Sequence, residues 1–292
     1  MGKKIRNSIL LVIAAAIWGI AFAFQRMGGE SMGAFTMNAL RSFLGVLSML
    51  PMIKVAYGNF KLNRKTLIGG ITCGLILSVA CNLQQLGLLY TSPGKAGFIT
   101  ASYMIFVVII MLFMKKKMGT LVIISIAVGV AGLFLICYPE GEVFSLNKGD
   151  LLCIACAVAY AFQIIVIDRT GEDVESVKMC AVQFFVVGVV SSVLMFIVDK
   201  PTAASIKEGI IPLLYVGIMS TGVAYSLQMI GMKGLNPAVA SLLMSLESVF
   251  SVVGEILIFG TMVRGRVLAG CIVMFIAIIL SQSDLFIKRP TS

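Results

Sequence analysis

The feature that most constrains this chain is a series of long apolar segments joined by short connections rich in Lys and Arg. An α-helix needs roughly 20 apolar residues to cross the hydrocarbon core of a bilayer. The segments that reach about this length are 8–25, 32–53, 66–89, 95–114, 119–138, 149–168, 177–198, 209–230, 237–259 and 266–286. The connections are too short to form a separate domain. The sequence therefore predicts an all-α polytopic membrane protein with ten transmembrane helices.

The composition supports a membrane protein and excludes several classes of function. Hydrophobic residues make up 59% of the 292 residues and charged residues only 12%, against about 25% charged residues in soluble domains. The chain contains no His, which excludes zinc sites built on His, a haem with a proximal His, and Ser-His-Asp triads. We therefore expect no metal, no cofactor and no enzymatic activity. An intramembrane enzyme would need a nucleophile or a metal cluster, and the sequence shows neither pattern.

The positive residues predict the orientation of the chain. Its net charge of +10 does not indicate a nucleic-acid partner, because Lys and Arg flank the apolar segments as the positive-inside rule requires. Placing the N-terminus in the cytoplasm puts most of them on the cytoplasmic side, with a strong bias in the first half and a weak one in the second. The charged start resembles a signal peptide, but the apolar run continues to Phe24 and is long enough to span. We predict a multi-pass protein of the cytoplasmic membrane with both termini in the cytoplasm.

The second half of the chain repeats the first. Four identities recur 144 residues apart, namely Gln84 with Gln228, Gly87 with Gly231, Pro93 with Pro237 and Ala96 with Ala240. Nearer the start of each half the offset is 142 residues, a difference that a two-residue change in one loop explains. We predict two five-helix repeats, residues 1–142 and 143–292. Because five is odd, the second repeat enters the membrane from the opposite side, and inverted repeats commonly hold a substrate site between them near the midplane.

Four short motifs identify a family resemblance. They are Ala16–Gly19 in the first segment, Leu40–Leu44 in the second, Leu86–Ala96 at the turn between the third and fourth, and Leu246–Phe250 in the ninth. With the ten segments and the two halves, they resemble the ten-helix EamA-type branch of the drug/metabolite transporter superfamily over nearly the whole chain. The resemblance implies alternating access and, commonly, export of metabolites, amino acids or drugs. It also implies a cavity lined by the first, third, fourth, sixth, eighth and ninth helices.

Two charged residues are predicted near the middle of the bilayer, Arg41 and Glu247, where insertion of a charge costs at least ~2.5–3.5 kcal/mol. Glu247 shares one helix face with small and polar residues, and this face should point into the bundle. The carboxyl group could exchange a proton during transport, or form a structural salt bridge or hydrogen bond with Arg41. Arg41 could anchor neighbouring helices or attract an anionic group of the substrate. Ser248 stands where many relatives have Pro, so the sequence does not predict a proline kink.

Polar and aromatic residues inside the segments predict the wall of a substrate cavity, because such pockets combine aromatic surfaces with a few placed polar groups. The predicted substrate-binding residues are Trp18, Asn82, Gln84, Tyr103, Tyr160, Gln163, Tyr225 and Gln228. Each could instead join neighbouring helices by hydrogen bonds. The repeat pairs some of them, since Tyr103 corresponds to Glu247 at the 144-residue offset.

These patterns predict a secondary transporter that exports small metabolites such as amino acids or drugs by alternating access. Its partners are a small-molecule substrate and the lipid bilayer. Proton coupling through Glu247 is one form of this hypothesis, and an ion-independent facilitator or exchanger is the alternative. A membrane scaffold without transport activity is a third class. The sequence leaves the oligomeric state open and is compatible with a monomer.

Overall fold

The structure, a computed structural model, describes residues 2–116, 118–137, 146–170, 174–259 and 265–286. The predicted repeat boundary at 142/143 lies outside the described residues. The α-helices are α1 (Gly2–Met32), α2 (Ala34–Tyr57), α3 (Arg64–Gly87), α4 (Pro93–Ala101), α5 (Tyr103–Phe113), α6 (Thr120–Cys137), α7 (Lys148–Thr170), α8 (Ser176–Leu194), α9 (Ala203–Glu208), α10 (Ile210–Leu214), α11 (Tyr225–Gly231), α12 (Pro237–Met244), α13 (Glu247–Phe259) and α14 (Gly265–Phe286). Two π-helical stretches, Met195–Asp199 and Tyr215–Ala224, continue α8 and join α10 to α11.

Eight helical segments in the described part of the chain are long and apolar enough to cross a membrane. They are Gly2–Met32, Ala34–Tyr57, Arg64–Gly87, Lys95–Phe113, Lys148–Thr170, Ser176–Asp199, Ile210–Gly231 and Pro237–Gly254. Two shorter apolar helices, Thr120–Ile136 and Gly265–Ser281, occupy the places of the fifth and tenth predicted spans. We number these ten apolar segments in chain order. The predicted all-α membrane architecture is confirmed, and the count of ten spans stays a prediction.

A single residue separates the first two helices. Gly33 has a φ of 96°, a conformation that glycine adopts without steric cost. The first N–H groups of a helix lack partners within it, and Asp199, which ends the seventh segment, supplies a carboxylate. Its Oδ2 accepts hydrogen bonds from the backbone N of Thr36 (2.7 Å) and from the Thr36 hydroxyl (3.0 Å). The end of the seventh segment is thereby fixed to the start of the second.

The duplicated proline turns begin α4 and α12. Pro93 and Pro237 occupy the first turn of these helices, where the missing N–H of proline costs nothing. The preceding residues cap the helices, since Ser92 Oγ accepts from the backbone N of Lys95 (3.3 Å) and Asn236 Oδ1 from the backbone N at position 238 (2.9 Å). The sequence similarity of the two turns thus reflects one way of starting a helix, used twice.

The fourth and ninth segments are both interrupted near the middle. Ser102 separates α4 from α5, which begins at Tyr103, and two residues separate α12 from α13, which begins at Glu247. Ser102 Oγ donates to the carbonyl three residues earlier (2.5 Å), and so do Ser245 Oγ (2.7 Å) and Ser248 Oγ (2.8 Å). Serine hydroxyls that bond back to the helix backbone favour bends. The ninth segment is therefore interrupted without proline.

The helices pack in a pattern that relates the two halves. α1 packs against α11 and α13, and α7 packs against α3, α4 and α5, while α6 and α14 pack against each other. Gly87 in α3 lies against Cys153 in α7, and Gly231 in α11 lies against Leu11 in α1, with no room for a side chain at either glycine. The two glycines are 144 positions apart in the chain, and their partners are 142 apart. The same close helix approach therefore occurs once in each half.

Candidate substrate-binding cavity

A small cavity lies in the centre of the bundle, with about 30 Å³ open to the centre of a water-sized sphere. Its lining residues are Trp18, Phe22, Gln25, Arg41, Gln84, Thr100, Tyr103, Tyr160, Ile164, Ser220, Tyr225, Gln228, Met244 and Glu247. All of them are buried. They come from segments 1, 3, 4, 6, 8 and 9, as the family resemblance implies, and in addition from segment 2 through Arg41. Among the described residues, those of α6 and α14 do not contribute to the lining.

Aromatic side chains form two sides of the cavity. The rings of Trp18 and Tyr225 meet edge to face with 4.8 Å between centroids, and those of Tyr103 and Tyr160 with 6.3 Å. This arrangement is the favoured one for aromatic pairs. The Trp18 indole Nε1 donates to the backbone carbonyl of Ser220 at 3.2 Å, which fixes the ring. Aromatic rings from segments 1, 4, 6 and 8 therefore line the cavity and pack against one another in pairs.

A chain of hydrogen bonds joins four helices along the cavity. The Tyr160 hydroxyl donates to Gln84 Oε1 at 3.2 Å and lies 3.3 Å from the Tyr225 hydroxyl. Gln84 Nε2 donates to the Thr100 hydroxyl at 3.4 Å. Tyr160 also contacts Cys81, with 3.8 Å between oxygen and sulfur. In the repeat alignment, Tyr160 corresponds to Trp18 and Cys81 corresponds to Tyr225. The contact of Tyr160 with Cys81 is therefore the counterpart of the contact of Trp18 with Tyr225.

Arg41 enters the cavity from α2 with most of its hydrogen-bonding capacity unused. The residue is only 1% exposed. Its Nη1 lies 3.5 Å from Gln25 Oε1, at the limit of a hydrogen bond, while Nε and Nη2 have no partner among the described residues. Gln25 is itself held in place by Gln85, whose Nε2 donates to the Gln25 carbonyl at 2.6 Å. The guanidinium group is thus buried beside the cavity with an open edge.

Glu247 begins α13 and is buried at 6% exposure. Its Oε1 has no hydrogen-bond partner among the described atoms, and the Tyr103 hydroxyl is a hydrogen-bonding neighbour of the carboxyl group. No ion pair joins Glu247 to Arg41 among the side chains that the structure describes. Both line the same cavity, so the guanidinium group and the carboxyl group face a shared space without direct contact.

Two of the predicted site residues lie outside the cavity lining. Asn82 Oδ1 accepts from Asn38 Nδ2 at 3.0 Å and from the Ser191 hydroxyl at 3.1 Å, so it joins segments 2, 3 and 7. Gln163 Nε2 donates to Gln183 Oε1 at 3.3 Å, which joins segments 6 and 7. Both side chains make the helix-to-helix hydrogen bonds that were the alternative interpretation of the polar set.

The lining also includes residues that the sequence patterns do not single out, namely Phe22, Gln25, Thr100, Ile164, Ser220 and Met244. Helical spacing gives a signal for three of them. Positions three or four apart share a helix face, and this relates Phe22 to Trp18, Gln25 to Phe22 and Ile164 to Tyr160. Ser220 lies within a π-helical stretch, whose wider turn changes the register, so α-helical spacing from Tyr225 does not reach it.

Polar contacts hold the segments together at the end of the bundle opposite the start of α1. Asp150 at the start of α7 is fully buried, and it accepts from Lys95 Nζ at 2.7 Å, from the Thr91 hydroxyl at 2.9 Å and from the backbone N of Asn147 at 2.8 Å. Lys95 and Thr91 belong to the start of α4 and the turn before it. This cluster ties the sixth segment to the fourth.

A second set of contacts lies at the end where α1 begins. Asn7 Nδ2 donates to the carbonyl of Lys233 at 2.7 Å, and Lys233 Nζ donates to the carbonyl of Val174 at 2.6 Å. Lys116 and Asp168 form an ion pair at 2.6 Å. The turn between segments 8 and 9 is thereby tied to segment 1 and to the start of segment 7. The central cavity lies between two ends that are both held by polar contacts.

Comparison with known proteins identifies the family. The EamA-like transporter family matches two stretches, residues 6–138 and 147–282. An uncharacterized transporter of Archaeoglobus fulgidus is 26% identical over 279 residues, which cover 95% of this chain and 86% of the relative. The uncharacterized transporter YoaV of Bacillus subtilis is 19% identical, over 74% of this chain and 75% of that protein. A solved crystal structure has the same fold, with a TM-score of 0.80 at 16% identity over 98% of both chains. The chain therefore belongs to the EamA-like transporter family.

Proposed function

We propose that this protein is a secondary transporter that exports small metabolites across the cytoplasmic membrane by alternating access. The observation that carries the proposal is the central cavity, which is lined by buried aromatic and polar side chains, several with unused hydrogen-bonding atoms. Buried polar groups in folded proteins are almost always paired, with protein atoms or with water, so the lining atoms that have no partner among the described residues mark places where a small molecule can bind. A small molecule that enters the cavity would supply the missing partners.

The architecture that would move this molecule is a pair of inverted repeats. The paired contacts of Gly87 and Gly231, and of Trp18 and Tyr160, support two equivalent five-helix halves. Halves of this kind rock against each other around a fixed central site. The Asp150 cluster would then open when the cavity faces one side, and the Lys233 cluster when it faces the other. We assign the end with Lys233 to the cytoplasm, together with both termini, on the basis of the Lys and Arg distribution.

Glu247 is the group that we propose for proton coupling. It is buried in the cavity, its Oε1 lacks a partner among the described atoms, and Tyr103 is its hydrogen-bonding neighbour. Intramembrane carboxyl groups that face a cavity commonly serve proton relays. An exporter coupled in this way would exchange one or more protons against each substrate molecule. Facilitated transport without an ion is the alternative, and the response of flux to a proton gradient distinguishes the two.

An efflux experiment tests the transport proposal even while the substrate is unidentified. Proteoliposomes loaded with a defined mixture of amino acids, organic acids and amines are diluted, and mass spectrometry measures what leaves. We expect a subset of compounds to leave faster than from protein-free vesicles. Ser220→Trp should abolish this difference by filling the cavity, whereas Ile279→Trp on the exposed face of α14 should preserve it. Equal efflux from vesicles with and without protein, or unchanged efflux by Ser220→Trp, would contradict the proposal.

A further inference from the structure

The open edge of Arg41 has the geometry of a carboxylate-binding group. The guanidinium group carries five N–H donors in one plane, and only Nη1 approaches a partner, Gln25. Nε and Nη2, which have no partner among the described residues, lie on the same edge of that plane, where their N–H bonds run nearly parallel. Parallel N–H bonds of this kind match the two oxygens of a carboxylate. Arg41 therefore presents a bidentate edge to the cavity from a buried position.

The equivalent position in the second half shows that the fold does not need a charge here. Gln183 stands 142 residues after Arg41, and its amide oxygen accepts a hydrogen bond from Gln163 at 3.3 Å. Gln183 is thus satisfied by a neighbouring helix, while the guanidinium edge of Arg41 is not. A structural anchor would be expected to use its donors on carbonyls or carboxylates, so the open edge points to a ligand.

The cavity also holds acceptors without donors. Gln228 Oε1 and Glu247 Oε1 have no hydrogen-bond partner among the described atoms, and both residues line the cavity with Arg41. Trp18 and Tyr225 supply an apolar and aromatic surface in the same space. A molecule that satisfies all of these groups carries a negative planar group, a hydrogen-bond donor and a small apolar body.

We propose that the transported molecules are small carboxylates, bound through Arg41, with a donor group directed at Gln228 or Glu247. This inference rests on the proposed transport function and names the substrate class of the same cavity. Arg41 fixes the orientation of the molecule, because a bidentate contact sets both the position and the plane of the carboxylate. Neutral amides of the same shape lack the charge and one acceptor oxygen, so they bind more weakly.

Trp18 is the only Trp in the chain and lines the cavity, so its fluorescence reports binding in the purified full-length protein. The probes are matched pairs of acid and primary amide: 3-phenylpropionate with 3-phenylpropanamide, 4-methylpentanoate with 4-methylpentanamide, and L-phenylalanine with L-phenylalaninamide. We expect at least one acid to bind about tenfold more tightly than its amide, or about 1.4 kcal/mol. In Arg41→Gln the ratio of the amide Kd to the acid Kd should fall to about threefold or less. Arg26→Gln, which removes a partly exposed arginine outside the cavity lining, should leave the ratio unchanged.

Arg41→Lys keeps a positive charge and is the variant to measure if Arg41→Gln does not fold. Its preference for the acid over the amide should be smaller than that of the wild type, because lysine lacks the planar pair of parallel N–H donors. The inference is wrong if no acid is preferred over its amide, or if the preference survives unchanged in the Arg41 variants. If acids and amides bind equally but the cavity is accessible from both sides of the membrane, the carboxylate site is refuted. The transport proposal is not affected by that result.

Discussion

Tyr103 and Glu247 each begin the second part of an interrupted segment, and their side chains meet in the central cavity. The two residues are 144 positions apart, at equivalent places in the two proposed repeats. The scaffold therefore places a phenol and a carboxyl group where a symmetric protein would place two identical groups. Because helix interruptions leave backbone groups unpaired and allow bending, this pair lies where the fourth and ninth segments can bend.

The first prediction concerns this pair and proton coupling. Glu247→Gln retains the shape of the side chain and removes its ability to release a proton. In proteoliposomes, we expect efflux by the wild type to respond to an imposed pH gradient and efflux by Glu247→Gln to be insensitive to it. Tyr103→Phe, which removes the neighbouring hydroxyl, should alter the rate but preserve the response. A Glu247→Gln protein that responds like the wild type would establish ion-independent transport or another coupling group.

The second prediction concerns the Asp150 cluster. Lys95→Met removes the cation that faces Asp150 and leaves a fully buried carboxylate with two remaining donors. Breaking a buried pair from one side costs about 3–5 kcal/mol. Because the Lys95 side chain is 25% exposed, we expect about 2 kcal/mol here, measured as a lower thermal-unfolding midpoint in detergent.

Arg26→Met is the matched control for this substitution. Arg26 pairs with Glu30 at 2.8 Å, but the side chains are 38% and 53% exposed, and exposed pairs contribute about 0–1 kcal/mol. The unfolding midpoint should therefore change little. Equal effects of Lys95→Met and Arg26→Met would show that the Asp150 cluster does not stabilise the bundle.

The third prediction concerns the close contact of α1 with α13. A Cβ atom at Gly19 would lie 2.6 Å from the Glu247 carbonyl oxygen, whereas one at Gly97 would lie 3.7 Å from its nearest neighbour, the Phe22 ring. Gly19→Ala should therefore force the two helices apart, cost about 1–3 kcal/mol and reduce efflux by displacing Glu247. Gly97→Ala should change stability by about 0.5 kcal/mol or less. A tolerated Gly19→Ala would mean that α1 and α13 do not need this close approach.

The sequence predicts the membrane segments well because apolar length alone determines which segments can span. It fails at the end of α1, where the prediction stops at residue 25 and the helix continues to Met32. Gln25 and Arg26 mark the end of an apolar run, yet Arg26 pairs with Glu30 one turn later and the helix continues. Gln25 therefore lies inside a helix and beside Arg41, a contact that hydropathy does not reveal.

The cavity was predictable in part, for physical reasons that differ between residues. Trp18, Gln84 and Tyr160 are large polar or aromatic groups within apolar segments, and such groups must find partners inside the bundle. That requirement does not say whether the partner is a ligand or a helix, so Asn82 gives the same signal as Gln84 although it lies outside the cavity. Ser220 is hidden by the π-helical register, which a sequence pattern with an α-helical period does not describe.

The most direct test of the account is the accessibility of Ser220 from the two sides of the membrane. Ser220 lines the cavity at 1% exposure. In a variant that carries Ser220→Cys and lacks the seven native cysteines, we expect a membrane-impermeant thiol reagent to label position 220 both in right-side-out and in inside-out vesicles. Labelling from only one side, or from neither, would contradict alternating access through this cavity.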